Sequence, residues 1–377
     1  MAGIYIHIPF CKKRCIYCDF YSTTQGERKM EYIKSLCKEL YLRKGYLQEE
    51  SIHTIYIGGG TPSQLSITEL QEIFHAIYQH YTLEQKVEIT MEANPDDLSY
   101  DYLKALRTLP INRISMGVQT FNDKKLELLN RRHTAKQAYD AVLRCKETGF
   151  ENISIDLIYG IPGETLNDWD KDLQTALTLP IKHLSAYHLI YEKGTPLWEL
   201  WKRHKVEEMD ENLSVALFEK LIKHTKEAGF EHYEISNFCK PGYQSKHNYS
   251  YWEGIPYLGC GASAHSYNGH SRQWNVASLS SYIKGIENGI LNYEKEDLSP
   301  ETQYNEYIMT RLRTAKGFSL SYISSQFGNL FHDYAFRMAN LYLKKGLLEF
   351  NGDNIKLSHQ GIFISDGIMS DLMYIQD

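Results

Sequence analysis

Three cysteines lie within eight residues near the start of the 377-residue chain: Cys11, Cys15 and Cys18. Their C-x3-C-x2-C spacing, on a loop that directly follows a predicted strand, suits three ligands of a cubane [4Fe–4S] cluster. Such a cluster keeps one iron without a protein ligand, and that iron can bind a second molecule. The alternative is a zinc site, which needs a fourth Cys or His nearby. His7 is a poor candidate because it lies within the strand, so the pattern favours the cluster.

Glycine and polar residues follow several later strands, at the edge where parallel strands present their functional groups. The run Gly59-Gly60-Thr61 ends the second strand; it matches no phosphate-binding pattern, but glycines let a backbone approach a ligand closely. Three more side chains belong to this edge: Glu92 at the end of the third strand, Gln119 at the end of the fourth, and Asp156 within the fifth. Arg131 follows Gln119 by twelve residues. Taken singly, each of these residues is equally well explained by a structural role.

Six apolar runs predict the strands that position these residues. Their starts are about 36 residues apart on average, the length of one strand–helix unit, so right-handed crossovers and a parallel sheet follow. The runs mix Ile, Val and Leu with little strict alternation, and we expect strands covered on both faces. Six units fall short of a closed eight-stranded barrel, so the predicted fold class is α/β with a partial (β/α)6 barrel. The predicted strands are 4–8, 54–57, 87–91, 113–118, 153–157 and 183–189.

The pattern changes after the sixth strand, and it divides the chain into three parts. Residues 1–230 form the predicted barrel and end in a charged helix over 209–228. Residues 231–295 form a linking segment rich in Gly, Tyr, Trp and His. Residues 296–377 carry helical segments at 300–314 and 331–345 and then a short hairpin, 347–350 and 355–357. This last order is typical of a small α+β domain resembling a winged helix. It has no marked basic excess, which favours a packing or lid role.

Composition excludes several classes of protein. Hydrophobic residues make up 42% and charged residues 23%, the balance of a globular chain. No run reaches about 18 consecutive apolar residues, so we predict no integral membrane segment. The net charge of −6 argues against a general nucleic-acid-binding surface. We interpret the isolated cysteines as buried small hydrophobic groups. The sequence has no secretory signal, and we predict a cytoplasmic protein. These cysteines are Cys37, Cys145, Cys239 and Cys260.

The sequence pattern resembles that of the radical SAM superfamily, and within it the branch related to coproporphyrinogen oxidases. The resemblance lies in residues 5–10, the cysteine triplet and the strand-end residues. The resemblance implies a [4Fe–4S] cluster on Cys11, Cys15 and Cys18 whose open iron chelates S-adenosylmethionine. Reduction of the cluster would then cleave a carbon–sulfur bond and release a 5′-deoxyadenosyl radical. The match covers residues 4–190 strongly and the remainder more loosely, including a HemN-type C-terminal domain. It assigns nine residues to the S-adenosylmethionine pocket: Tyr5, Tyr17, Gly59, Gly60, Thr61, Glu92, Gln119, Arg131 and Asp156.

Two departures separate the chain from the oxygen-independent coproporphyrinogen III oxidases of this branch. Those enzymes carry a fourth cysteine two residues after the third, where this sequence has Phe20. They also carry an N-terminal extension ahead of the cluster, whereas this chain begins ten residues before Cys11.

A second motif, H-N-x-x-Y-W over residues 247–252, resembles the signature of the HemW-type haem chaperones. An imidazole can ligate iron and aromatic rings can pack on a porphyrin, so His247 is our candidate haem ligand. Without the family context, an aromatic-rich loop explains the motif equally well. His265, in a later loop of small residues, is either a second ligand or a structural histidine.

The resemblance implies a chaperone that binds haem, a [4Fe–4S] cluster and S-adenosylmethionine and delivers haem to recipient respiratory haemoproteins. The alternative is an enzyme, an oxygen-independent coproporphyrinogen III oxidase that decarboxylates two propionates by radical chemistry. The intact S-adenosylmethionine pocket favours the enzyme, whereas Phe20 and the second motif favour the chaperone. A homodimer is left open by the sequence.

Overall fold

A computed structural model describes residues 1–48 and 50–375 of the chain. These residues form one large sheet, helices that cover it, and a smaller sheet near the C-terminus. The strands are β1 (Ala2–Ile8), β2 (Ile52–Gly59), β3 (Leu83–Ala93), β4 (Arg113–Gln119), β5 (Asn152–Tyr159), β6 (His183–His188), β7 (Glu231–Glu234), β8 (Asn237–Cys239), β9 (Tyr257–Cys260), β10 (His265–Tyr267), β11 (Ser271–Asn275), β12 (Tyr293–Asp297), β13 (Phe318–Ser319), β14 (Leu348–Asn351) and β15 (Asn354–Leu357). The helices are α1 (Lys29–Leu42), α2 (Ile67–His80), α3 (Tyr100–Leu106), α4 (Asp123–Leu128), α5 (Ala135–Glu147), α6 (Leu166–Thr178), α7 (Pro196–Lys202), α8 (Glu211–Glu227), α9 (Lys246–Trp252), α10 (Leu279–Glu287), α11 (Pro300–Leu312), α12 (Leu320–Phe327), α13 (Asn329–Leu343) and α14 (Ser365–Leu372).

The large sheet contains the six predicted strands in sequence order. Its order is β12-β11-β10-β9-β1-β2-β3-β4-β5-β6-β8-β7, and β1 to β6 pair in parallel. Within the described ranges β12 and β7 form its two edges, so the barrel is partial, as the count of six units predicts. The segment 231–295 supplies strands to both edges: β7 and β8 beside β6, and β9 to β12 beside β1. Of these, β9 is parallel to β1 and the others are antiparallel.

Apolar and polar positions alternate along most of the parallel strands, with register shifts in β2 and β4, so the expectation of little alternation was wrong. On β1, Ile4, Ile6 and Ile8 are fully buried in the main core on the face covered by helices, whereas Tyr5 and His7 point to the other face. The same order of apolar and polar positions recurs along most of β2 to β6. Each fully buried isoleucine stabilises the fold by about 2 kcal/mol, while the polar positions line the inside of the barrel. The helix-covered face therefore stabilises the fold, and the inner face carries the candidate functional side chains.

Local sequence signals explain where the covering helices begin. Ser66 and Glu69 form a capping box at the start of α2, and Thr134 and Gln137 form another at the start of α5. Each box satisfies backbone N–H groups that have no partner within the helix. The helix predicted over 209–228 is confirmed as α8, with ends within two residues.

The C-terminal part has its own hydrophobic core and the predicted winged-helix order. Helix α11 is followed by β13, helices α12 and α13, and the hairpin β14–β15, which pairs with β13 in a three-stranded sheet. Tyr304, Phe318 and Phe331 lie in this core, separate from the core under the large sheet. The sequence prediction does not include β13 or α12. A two-residue strand such as β13 leaves too little pattern to detect. None of the helices in the described part of the chain is long and apolar enough to cross a membrane.

Candidate functional site

A cavity of about 490 Å³ opens at the carboxyl ends of the parallel strands. Its wall contains the three cysteines of the loop after β1 and eight of the nine residues that the sequence predicts for an S-adenosylmethionine pocket. The fold thus gathers residues that are far apart in the chain, because parallel strands end at the same edge of a sheet. These eight are Tyr17, Gly59, Gly60, Thr61, Glu92, Gln119, Arg131 and Asp156.

The three cysteines are half-buried and unpaired, and hydrogen-bond donors point at two of them. The Thr61 hydroxyl donates to Cys11 Sγ over 3.4 Å, and the Arg131 guanidinium donates to Cys15 Sγ over 3.3 Å. Burial raises the pKa of Cys11, and it raises the pKa of Cys18 to about 11. Bound iron would replace these protons, since a metal ligand must be the thiolate.

No group of three or more His, Cys, Asp or Glu side chains within residues 1–48 and 50–375 is arranged around a single ion position. A zinc ion requires such convergence, because its ligands surround one point at about 2.3 Å. A cubane cluster does not, since each cysteine binds a different iron atom. Three cysteines are the number of protein ligands that a cubane cluster with one open iron requires.

The glycine run is explained first by close packing of β2 against β1. Gly59 has φ +110°, and a Cβ there would lie 2.6 Å from the His7 ring. A Cβ at Gly60 would lie 2.8 Å from the Pro9 backbone. The missing side chains let the two strand ends meet and leave the adjoining cavity open to a ligand.

Two carboxyl groups line the cavity from β3 and β5, the strands on either side of β4. Glu92 accepts hydrogen bonds from the Tyr56 hydroxyl at 2.8 Å and from the Gly59 backbone N–H at 3.0 Å. Burial raises the pKa of Glu92 to about 7, and the charge of Asp156 adds to the effect. Burial also raises the pKa of Asp156 to about 6, against a hydrogen bond from Ser185. Such carboxyl groups can hydrogen-bond ligand hydroxyls in either protonation state.

Gln119 ends β4, between the strands of these two carboxyl groups, and Arg131 lies against the same strand. Arg131 donates to the side-chain oxygen of Asn94 and to the Gly117 carbonyl, both at 2.7 Å, but its Nε is buried without a hydrogen-bond partner among the described residues. Gln119 is held at φ +69°, a strained backbone conformation for a non-glycine residue. Strain and an unpaired buried donor are typical of a site that is completed by a ligand.

Tyr5 and His247 lie behind the cavity wall. The Tyr5 ring stacks on Tyr56 at 6.2 Å, and its hydroxyl is 3.0 Å from His7 Nδ1. His247 is 1% exposed; its Nδ1 is 2.8 Å from the Thr54 hydroxyl and its Nε2 is 2.9 Å from the Tyr251 hydroxyl.

Both ring nitrogens of His247 are therefore occupied, and burial lowers the pKa of this histidine to about 3. Haem ligation by His247 would require these hydrogen bonds to break. In the present arrangement His247 anchors helix α9 beneath Tyr5 and Tyr56.

Sequence analysis missed several polar side chains of the same wall. They occupy inward positions of the parallel strands or the start of α9, and alternation along each strand would have indicated most of them. Asn248, next to His247, is the residue of the second motif that reaches the cavity. The missed residues are Tyr56, Asn94, Ser115, Ser185, Tyr187 and Asn248.

Comparison with known proteins agrees with this geometry. Residues 5–176 match the family model described as the radical SAM superfamily, and residues 298–364 match the HemN C-terminal domain. Over its whole length the structure resembles coproporphyrinogen III oxidase (HemN) from Escherichia coli, with a TM-score of 0.84 over 99% of this chain and 90% of that one. The two sequences are 23% identical, so this likeness shows the fold alone. Fold and site together define a radical SAM protein.

The curated relatives are more specific. The chain is 35% identical to the haem chaperone HemW of Bacillus subtilis (strain 168), covering 98% of each protein. It is 35% identical to the haem chaperone HemW of Lactococcus lactis subsp. lactis (strain IL1403), over 97% of this chain and 95% of that one. The HemW of Mycobacterium tuberculosis (strain ATCC 25618 / H37Rv) is 31% identical over 98% and 94%. The chain belongs to the HemW family of radical SAM proteins.

Proposed function

We propose that this protein is a haem chaperone that holds a [4Fe–4S] cluster and S-adenosylmethionine in the cavity and delivers haem to recipient haemoproteins in the cytoplasm. Full-length similarity to proteins named haem chaperones supports this assignment. Phe20 also supports it, because this side chain is 64% exposed at the cavity wall, in the place of the fourth cysteine of the related oxidases. The proposal includes a homodimer of this chain, which is to be tested.

The residues present fit the two cofactors. Cys11, Cys15 and Cys18 would hold the cluster, and the unpaired Nε of Arg131 is a donor for an acceptor group of S-adenosylmethionine. When bound and reduced, the cluster supplies the electron that cleaves S-adenosylmethionine. The chain's own part is to orient the cofactor and exclude water: Glu92 and Asp156 suit the ribose hydroxyls, and Tyr17 offers an aromatic face to adenine.

The observation that carries the cofactor part of the proposal is the convergence of these residues on one cavity. Three cysteines and eight polar or glycine residues from five strands and their loops meet there. A buried, strained and incompletely hydrogen-bonded wall costs stability, and a bound ligand offsets that cost.

The test is anaerobic reconstitution of the full chain with iron and sulfide, followed by titration with haemin and transfer to an apo-haemoprotein. We expect tight haem binding, and transfer that depends on the cluster. Cys15→Ala is the matched control for cluster dependence. Absence of haem binding by the reconstituted chain would contradict the proposal.

A second candidate function is oxidation of coproporphyrinogen III. The set of predicted S-adenosylmethionine-binding residues around the cavity favours it, because a simple carrier would not require that pocket. The same reconstituted protein, supplied with S-adenosylmethionine, reductant and coproporphyrinogen III, distinguishes the two. Formation of protoporphyrinogen would support the oxidase, and haem transfer without that product would support the chaperone.

A further inference from the structure

His265 differs from His247 in exposure and in hydrogen bonding, two properties that matter for binding iron. It is exposed at the start of β10, and its ring nitrogens form no hydrogen bond with any residue that the structure describes. Its ring lies 5.9 Å from the Trp274 ring at an interplanar angle of 24°, so the imidazole is held beside a large aromatic surface. Desolvation by neighbouring groups, with the Arg272 charge, lowers the pKa of His265, which favours the neutral imidazole that binds metals.

The face of the sheet that carries His265 is the inner face of the barrel. Ser266, the next residue, is fully buried and accepts a hydrogen bond from Arg43, which follows helix α1 on the outer face. Because side chains alternate along a strand, His265 and Tyr267 point to the opposite side.

Aromatic contacts connect this face to the cavity wall. The Tyr267 ring lies 6.5 Å from Tyr257, and Tyr257 lies 4.7 Å from Tyr251. The Tyr251 hydroxyl is bonded to His247, whose ring stacks on Tyr56 at 5.2 Å. Since Tyr56 lines the cavity, a series of ring contacts runs from the cavity wall through helix α9 to Tyr267, two residues from His265 on β10.

We propose that His265 is the axial ligand of haem iron, with Trp274 and Tyr267 packing against the edge of the macrocycle, on the inner face of strands β10 and β11. This inference rests on the proposed function, because it names the binding residue for the cargo of a haem chaperone. A neutral imidazole with a free nitrogen ligates haem iron, and aromatic rings pack on a porphyrin.

The charged groups at this face suit a ligand whose charge lies at its rim. Arg272 stacks on Tyr267 at 5.8 Å and forms an ion pair with Glu306 at 2.9 Å. Glu294 accepts a hydrogen bond from the Trp274 indole N–H at 3.2 Å, on the side away from His265. The aromatic centre of the patch is uncharged, so a flat apolar ring can cover it without burying a charge.

The experiment compares haemin and metal-free protoporphyrin IX on the full chain and on three histidine variants. For His265→Ala we expect the dissociation constant of haemin to rise about tenfold or more. The visible spectrum of bound haem should change, and added imidazole should restore it. Binding of protoporphyrin IX, which has no iron to ligate, should change little. His270→Ala, an exposed histidine in the same hairpin, is the matched control and should behave as the unmodified chain.

His247→Ala is expected to lower the stability of the fold and to leave the spectrum of bound haem unchanged. An unchanged haemin affinity and spectrum in His265→Ala would overturn the inference, as would loss of the ligand spectrum in a folded His247→Ala protein. Failure of the unmodified chain to bind haemin would instead contradict the proposed function itself. Trp274→Leu gives an independent check, because it should weaken haemin and protoporphyrin IX alike.

Discussion

The parallel and antiparallel halves of the large sheet present different chemistry on the same inner face. On the parallel half, the inward positions carry hydrogen-bonding groups, such as Glu92 and Asp156, which line a cavity that reaches the cysteine loop. On the antiparallel half, they carry rings that are more exposed, such as His265 and Trp274. The first pattern suits small polar cofactors that need fixed donors and acceptors, and the second suits a large flat ligand.

The comparison also separates the two histidines that the sequence offers for haem. His247 is locked between Thr54 and Tyr251, and it supports the parallel half from behind. His265 stands on the antiparallel half, and its ring nitrogens form no hydrogen bond with a residue in the described part of the chain. Residue type alone could not decide between them, because the difference lies in which partners the fold brings to each ring.

The largest expected effect is on the cluster. Cys15→Ala should abolish cluster formation, because two remaining thiolates rarely hold a cubane. We expect loss of the cluster absorbance and of bound iron and sulfide after anaerobic reconstitution. Haemin binding should persist if the two halves are independent. Cys37→Ala, at a half-buried thiol outside the cavity, should keep the cluster. Full iron content in Cys15→Ala would contradict the assignment.

The next effect concerns the packing that leaves the cavity open. Gly59→Ala should lower the free energy of unfolding by about 3 kcal/mol, since it combines an unfavourable φ with a Cβ placed against His7. Urea unfolding measures the change. Gly163→Ala, which has φ +76° and no atom near the added Cβ, isolates the backbone cost and should lose about 1 kcal/mol. Equal losses in the two variants would show that contact with His7 is unimportant.

Much of this architecture could be predicted from the sequence. The six parallel strands follow from apolar runs at regular spacing, and the three cysteines follow from their own spacing. The burial of His247 could not be predicted, because its partner Thr54 is 193 residues away in the chain. The inward positions of Tyr56 and Ser115 follow from the alternation of apolar and polar residues along β2 and β4. Runs rich in Ile obscure this alternation in the sequence. The placement of β9 beside β1 depends on long-range pairing and leaves no local signal.

A smaller effect is the pH dependence that the cavity carboxyl group produces. The folded-state pKa of Glu92 is raised from 4.5 to about 7, so the folded state binds this proton more tightly than the unfolded state does. Stability should therefore fall as the pH rises from about 4.5 to 7, by about 1–2 kcal/mol from this group. Glu92→Gln should remove this group's share of the fall in urea unfolding measured across the window, and the share of Asp156, whose pKa is raised to about 6, should remain. Glu294→Gln, on the antiparallel half, should retain the whole fall. A Glu92→Gln profile parallel to that of the unmodified chain would contradict the assignment of the effect to Glu92.

The smallest effect tests the hydroxyl that supports this carboxyl group. Tyr56→Phe removes the donor 2.8 Å from Glu92 Oε1 and should cost about 1 kcal/mol of stability. The hydrogen bond from Tyr56 lowers the pKa of Glu92, so its removal should raise that pKa further. The loss should be larger at pH 8, where the carboxylate is ionised and needs its donor, than at pH 5. Tyr267→Phe, whose hydroxyl bonds the Gly269 carbonyl on the antiparallel half, should show no such pH dependence. A pH-independent loss in Tyr56→Phe would contradict the role of this hydroxyl as the donor that the ionised Glu92 carboxylate needs.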